Sequence, residues 1–274
     1  MASKDGLTPT VPAEELELII YAYSEAWEGK NERTLNLGEA LVRAQPTHGM
    51  VMRLVFEPER VEGRLDGVIA QVTNDVGRCL WIIGPGTRPA DLGQRLMARG
   101  FTVAMEYDGL VLDDLAIDVT RNPDVVIEPL SWTNAAEYAT RCTDSTNPRF
   151  HEYLLASAQR YVQATPHEVQ IFVARLGGEV AGYAVLRIEP TGLAYFPAAL
   201  TVKPFRRRGV YLSLVAHRLA VATTAGCTAA VIGVQTATAA PILTRRGFRA
   251  VCHFLALAPP RTDCAGSSEV GRTR

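Results

Sequence analysis

Three arginines and a glycine stand together at Arg206-Arg207-Arg208-Gly209, just after an apolar run from Leu193 to Val202. Beyond them Leu212, Val215, Ala216 and Leu219 recur at i, i+3, i+4 and i+7, the stripe of an amphipathic helix. A helix starting near Gly209 presents unpaired N–H groups and the positive end of its dipole. Glycine lets a phosphate approach the backbone closely, and arginine forks add matching charge and donors. The chemistry suggested is capture of a phosphorylated ligand; the plain alternative is a solvated basic corner.

Other residues offer acid–base chemistry. Glu189 and Tyr195 lie just before and within the apolar run and are candidates for proton transfer. His217 lies off the apolar stripe of its helix and reads as solvated. His151, Asp144 and Glu152 share a helical region whose carboxylates could attract a cationic amine, or could form an ordinary solvated face. Cys79, Cys142, Cys227, Cys252 and Cys264 are odd in number, scattered and without zinc spacing, so no metal site is expected. Such cysteine usage suits a reducing cytoplasm.

The elements around these residues fall into two series. The chain has 274 residues, 47% hydrophobic and 21% charged, which is enough for one large domain or two small ones. A formal net charge of −1 argues against nucleic-acid binding by bulk electrostatics. No apolar run approaches the ~20 residues of a membrane-spanning helix, and Met1 to Gly6 has no apolar signal core. Residues 1–11 read as a loose leader. The pattern predicts helices at 14–23 and 32–44, strands at 50–56, 68–72 and 79–83, a turn at 84–89 and a helix at 91–99. Strands at 101–105 and 109–115 follow, then a polar linker, Arg121-Asn122-Pro123-Asp124.

The second series has a strand at 125–130, helices at 133–142 and 150–162, and strands at 170–175, 181–188 and 193–202. The basic turn and its helix come next, then a strand at 229–234, a helix at 237–246 and a last strand at 248–256. The tail from 259 to 274 is polar and expected to be disordered. Leu96-Met97-Ala98-Arg99-Gly100-Phe101 parallels Leu243-Thr244-Arg245-Arg246-Gly247-Phe248, which suggests a duplication. The Gly84-Pro85-Gly86 cluster reads as a structural turn, because its prolines remove donors that a phosphate would use.

The second half resembles the GNAT superfamily of N-acetyltransferases. The family's acyl-CoA motif, R/Q-x-x-G-x-G/A, is matched by Arg206-Arg207-Arg208-Gly209-Val210-Tyr211 after Val202-Lys203-Pro204, and its helix ending in Gly-Phe is matched by residues 239–248. The resemblance covers about residues 125–257. The first half resembles the degenerate partner of tandem members. The implied architecture is α+β: a degenerate GNAT-like mixed-sheet domain at 12–120 and an acyltransferase domain at 125–258, both with flanking helices.

The resemblance implies acetyl-CoA as acyl donor, with no metal. Backbone groups of Leu200, Thr201 and Val202 would pair with the pantetheine amides. The N–H groups of Arg207, Arg208, Gly209, Val210 and Tyr211 would face the diphosphate, some of the Arg206 to Arg208 side chains would reach phosphates, and the Val202 N–H would hold the oxyanion. Tyr211 stands where the family prefers Gly or Ala. Leu243 stands where many members carry a proton-donating tyrosine; Tyr195, Thr244 or water would have to substitute. The implied activity is N-acetyl transfer to an amine, preferably of a small molecule. The alternatives are a protein or peptide N-acetyltransferase and a non-catalytic CoA-binding or scaffolding module. A homodimer is a further expectation; nucleic-acid and membrane partners are not expected.

Overall fold

A computed structural model describes residues 11–21, 33–44, 49–142, 148–164 and 169–261. The first series holds α1 (Ala13–Ile20), β1 (Arg33–Asn36), β2 (Leu41–Ala44), β3 (Gly49–Met52), α2 (Val61–Asp75), β4 (Cys79–Ile83), α3 (Leu92–Ala98) and β5 (Thr102–Leu112). The second holds β6 (Val125–Pro129), α4 (Ala135–Arg141), α5 (Pro148–Ala164), β7 (Val169–Leu176), β8 (Glu179–Ile188), β9 (Leu193–Tyr195), β10 (Ala199–Thr201), α6 (Val210–Thr224), β11 (Ala229–Gln235), α7 (Ala240–Thr244) and β12 (Arg249–Ala258). The architecture is mixed α+β, as expected.

Several elements differ from the expectation. Residues 33–44 form a β-hairpin rather than a helix. The buried positions Ala40, Val42 and Ala44 alternate with period two, and Gly38 turns the chain at φ +83° with Asn36 Oδ1 accepting its N–H. Residues 68–72 lie inside α2, because Val61, Leu65, Val68 and Val72 recur on one helix face and are all buried. The two strands expected at 101–115 are one, β5.

One sheet joins both series, in the order β1-β2-β3-β4-β12-β5-β11-β9-β8-β7-β6, with β10 paired to β8 off this path. The last strand of each series has changed places. β12 pairs with β4 of the first series, while β5 lies between β12 and β11 of the second. The 121–124 connection that the sequence offers as a boundary therefore lies beside a sheet that runs through both halves. Corresponding positions match across the exchange: β3 runs parallel to β4 as β9 does to β11, and the α3–β5 corner matches the α7–β12 corner.

α1 packs between the halves. Leu16 and Ile19 are buried with Val111 of β5, Tyr195 of β9 and Val231 of β11. From the same helix Glu17 is buried and accepts the Gly86 N–H at 2.6 Å. A Cβ at Gly84 or Gly86 would stand 2.7 or 3.1 Å from that carboxylate, so both glycines make room for it. The Gly84-Pro85-Gly86 cluster is thus a structural turn. Burial raises the Glu17 pKa, outweighing the Gly86 bond that lowers it. A raised carboxyl contributes most stability below the ordinary glutamate value and loses it as pH rises through the folded value. Glu17→Gln is accordingly expected to raise the melting temperature at pH 7. The gain should vanish on acidification below the ordinary value, as thermal melts across pH would show.

Candidate active site

The apolar run 193–202 is not one strand. β9 bonds to β8 and runs parallel to β11, but past Phe196-Pro197-Ala198 the chain continues as β10, which pairs with β8 alone. The register against β8 moves by one residue across this break, from Tyr195↔Arg187 to Ala199↔Ala184. Proline has no N–H for a ladder, so it belongs at such an interruption. Gly182 lets β10 sit tightly on β8, since a Cβ there would meet the Leu200 carbonyl oxygen at 2.4 Å. A gap opens between β10 and β11 and widens into a groove of about 1030 Å³ that runs to the basic turn.

Strand parity decides which backbone groups face the gap. Val185 N–H donates to Ala198 O at 2.8 Å, and Val202 N–H donates to Ala181 O at 2.9 Å. With alternation, Leu200 also points its backbone at β8, and the groups of Ala199 and Thr201 point the other way. Two expectations are corrected here. The Val202 N–H is spent on β8 and does not serve an oxyanion, and Val202 does not line the groove. Of the expected trio, Thr201 offers its backbone N–H to the gap and Leu200 contributes lining only. The Thr201 Oγ1 is buried there without a hydrogen-bond partner.

The turn itself is built for an anion. Arg207 and Gly209 both hold left-handed backbones, at φ +62° and +79°. The first intrahelical bond of α6 runs from Ser213 N–H to Gly209 O, so the N–H groups of Val210, Tyr211 and Leu212 have no partner within the helix. Asn122, from the connection between β5 and β6, props the turn. Its Nδ2 donates to Arg208 O at 2.8 Å, and its own N–H donates to Ser213 Oγ at 2.9 Å.

Arg206 and Arg207 line the groove, but Arg208 lies over the Phe205 ring at 5.6 Å and does not. Arg245 and Arg246, at the end of α7, line the opposite wall. In the sequence they stand only as part of the Gly-Phe helix end; a second pair of basic residues one helix later is the available signal. Tyr211 lines the groove while packing against the core of α6, so its phenol leaves the N–H groups of the turn open.

On the α1 side of the sheet lies a second cavity of about 370 Å³. Both halves wall it: Tyr21 from α1, Arg43 from β2, Met50 from β3, Arg187 from β8, Tyr195 from β9 and Phe254 from β12. Tyr195 lines this cavity and not the groove, and its hydroxyl donates to Ile20 O at 2.9 Å. Burial pushes its pKa well up, so it stays protonated and is no base. Glu189 lines neither space; its carboxylate is ion-paired to Arg187, whose guanidinium lies over the Tyr195 ring at 4.9 Å. The structure thus brings the expected diphosphate residues together and separates the expected proton carriers from them. Leu243 is fully buried in the core, and Thr244 donates to Ala240 O.

His217 is half-buried rather than solvated. It packs edge-on against Phe172 at 4.5 Å, and burial lowers its pKa. His151 is partly exposed, 3.4 Å from Thr140 Oγ1, and Glu152 is exposed; neither lines the groove or the cavity. Asp144 lies outside the described residues. No described helix is long and apolar enough to cross a membrane.

Comparison with known proteins follows the same lines. No curated protein matches the chain. Its fold is shared with a GCN5-related N-acetyltransferase from Kribbella flavida, at 16% identity and a TM-score of 0.57, covering 86% of this chain and 92% of that one. One from Sphaerobacter thermophilus matches at 15% identity and 0.58, covering 85% and 82%. A tandem GNAT protein from the clavulanic acid biosynthesis pathway matches at 11% identity and 0.58, covering 93% and 90%. The model of the acetyltransferase (GNAT) family matches residues 132–248, the stretch that holds the split strand, the basic turn and α7. Residues 132–248 of this chain are therefore similar to the acetyltransferase domain of the GNAT family.

Proposed function

We propose that the chain is an N-acetyltransferase that moves an acetyl group from acetyl-CoA to the amine of a small molecule. The observation that carries this reading is the adjacency of two spaces: a groove shaped for a long phosphorylated ligand and a half-open cavity beside the split strand share Tyr107, Pro197, Ala198 and Gly233 as lining. The groove fits acetyl-CoA. The unpartnered N–H groups of Val210 to Leu212, with Arg206, Arg207, Arg245 and Arg246, suit its phosphates. The outward backbone of Ala199 and the Thr201 N–H suit its amides, while the Thr201 O accepts from Arg206 Nε at 3.3 Å.

Bound there, acetyl-CoA supplies an activated thioester. The protein's part is to align the amine and exclude water. About 370 Å³ suits a small molecule. The walls are largely apolar, which favours the neutral amine needed for attack over its ammonium form. The first half has lost the matching anion site. Between β3 and α2, where the basic turn would fall, Glu57 and Glu59 offset Arg53 and Arg60, so no positive cluster faces a phosphate there. Its retained task is to wall the cavity.

The test is thiol release from acetyl-CoA over a panel of small amines, peptides and lysine-bearing proteins, beside calorimetry of CoA binding. Turnover confined to small amines supports the reading. Turnover only with peptides or proteins moves the acceptor class, and tight binding without turnover on any amine favours a CoA-binding module.

A further inference from the structure

Among the described residues, four line both the groove and the cavity: Tyr107, Pro197, Ala198 and Gly233. Whatever passes from one space to the other passes between them. Only Tyr107 among the four has a side chain that can give or take a proton. It does not belong to the second series. It stands on β5, opposite Gln235 of β11 and Phe254 of β12, and reaches this junction because the last strands have exchanged. Its hydroxyl donates to Met105 Sδ at 3.1 Å, and the Gln235 side chain also bonds the phenol. A thioether is a weak acceptor, so the Tyr107 proton is available to a better one.

A thiolate leaving into this junction is such an acceptor. A free thiol has a pKa near ~8.5, and apolar surroundings make its anion harder to form. Of the other hydroxyls, Tyr195 donates to Ile20 O and Thr244 to Ala240 O, while Tyr21, Thr201 and Tyr211 each line one space but not the junction. Burial raises the Tyr107 pKa, which keeps the phenol protonated at neutral pH.

Resting on the acetyl-transfer reading, we propose that the active site is composite, with Tyr107 of the first half donating a proton to the CoA sulfur as the thioester opens. The amine nitrogen bonds the acetyl carbon while the carbon–sulfur bond breaks and its electron pair stays on sulfur. The Tyr107 proton moves to that sulfur. The proton lost by the amine, carried by water, returns to the phenolate. The first half is then a catalytic contributor as well as a wall.

The experiment compares the full chain with Tyr107→Phe. It measures CoA affinity by calorimetry at pH 6.5, the pKa of the bound CoA thiol by ultraviolet titration, and kcat and KM with an accepted amine. The expected result is a CoA affinity within about twofold of wild type, a thiol pKa raised by about one to two units, and a kcat lowered about 100-fold at similar KM. Intact CoA binding with an unchanged thiol titration overturns the assignment. So does a loss of affinity and melting temperature with no change in the thiol, which would mark a structural role. A 3-fluorotyrosine at position 107 keeps the ring and strengthens the donor, so the thiol pKa should move down; it serves if Tyr107→Phe fails to fold. The titration needs no turnover. Failure to turn over any amine therefore tells against the acetyl-transfer reading without deciding the Tyr107 result, while wild-type protein that does not bind CoA sinks both.

Discussion

Gly209→Ala is expected to weaken CoA binding by about tenfold to a hundredfold, while Gly226→Ala leaves it unchanged. The two glycines flank the same helix, α6, and hold nearly the same left-handed backbone, φ +79° and φ +78°. Each should lose about 1–2 kcal/mol when an L side chain is forced into that region. They differ in what the new carbon meets. At Gly226 nothing stands within 4 Å; at Gly209 the added Cβ would lie 2.9 Å from the Asn122 Cβ. Relief there requires Asn122 to withdraw, and Asn122 holds Arg208 O and Ser213 Oγ, the two ends of the anion turn. Misaiming the turn's N–H groups at a phosphate costs the equivalent of one charge-assisted bond, about 1.5–3 kcal/mol, which is about tenfold to a hundredfold in affinity. Calorimetry on the pair separates backbone strain from loss of the site. Equal affinities in both variants would mean the turn does not hold the ligand.

Phe254→Ala is expected to destabilise the whole chain by about 3–5 kcal/mol in a single unfolding transition. Phe254 is fully buried on β12, the exchanged strand, and packs edge-on against Tyr21 with ring centroids 5.3 Å apart. β12 bonds to β4 on one side and β5 on the other, so neither half can keep its sheet once the strand leaves. For a chain of this size the melting temperature should fall by about 10 °C. The substitution also enlarges the cavity without touching the groove. Acceptor KM should change while CoA affinity holds, provided the measurement is made well below the new midpoint. Two separate transitions in calorimetry would contradict the interlocked sheet.

What the sequence disclosed was local. The anion turn was legible because its ingredients lie within the fourteen residues from Arg206 to Leu219: arginines, a glycine and a helix stripe. Pro197 marks the interruption in 193–202, but the parity that turns Val202 toward β8 and Thr201 toward the gap depends on the register with a strand some twenty residues away. The run Val68-Ile69-Ala70-Gln71-Val72 suits a strand when read alone. Leu65 and Val61, one and two turns earlier, complete a helix face that a five-residue window does not contain. The exchange of β5 and β12 was illegible for the same reason carried further, since each strand's apolar pattern is satisfied by any neighbour that buries it. Tyr107 followed from that: on β5 it reads as a residue of the first half, and only the sheet order carries it to the junction.

The most direct measurement is a crystal structure of the chain with CoA bound. The expected density runs from the N–H groups of Val210 to Leu212, through the gap between β10 and β11, with the sulfur among Tyr107, Pro197, Ala198 and Gly233. A gap closed by pairing of β10 to β11, or CoA lying elsewhere on the protein, would contradict it.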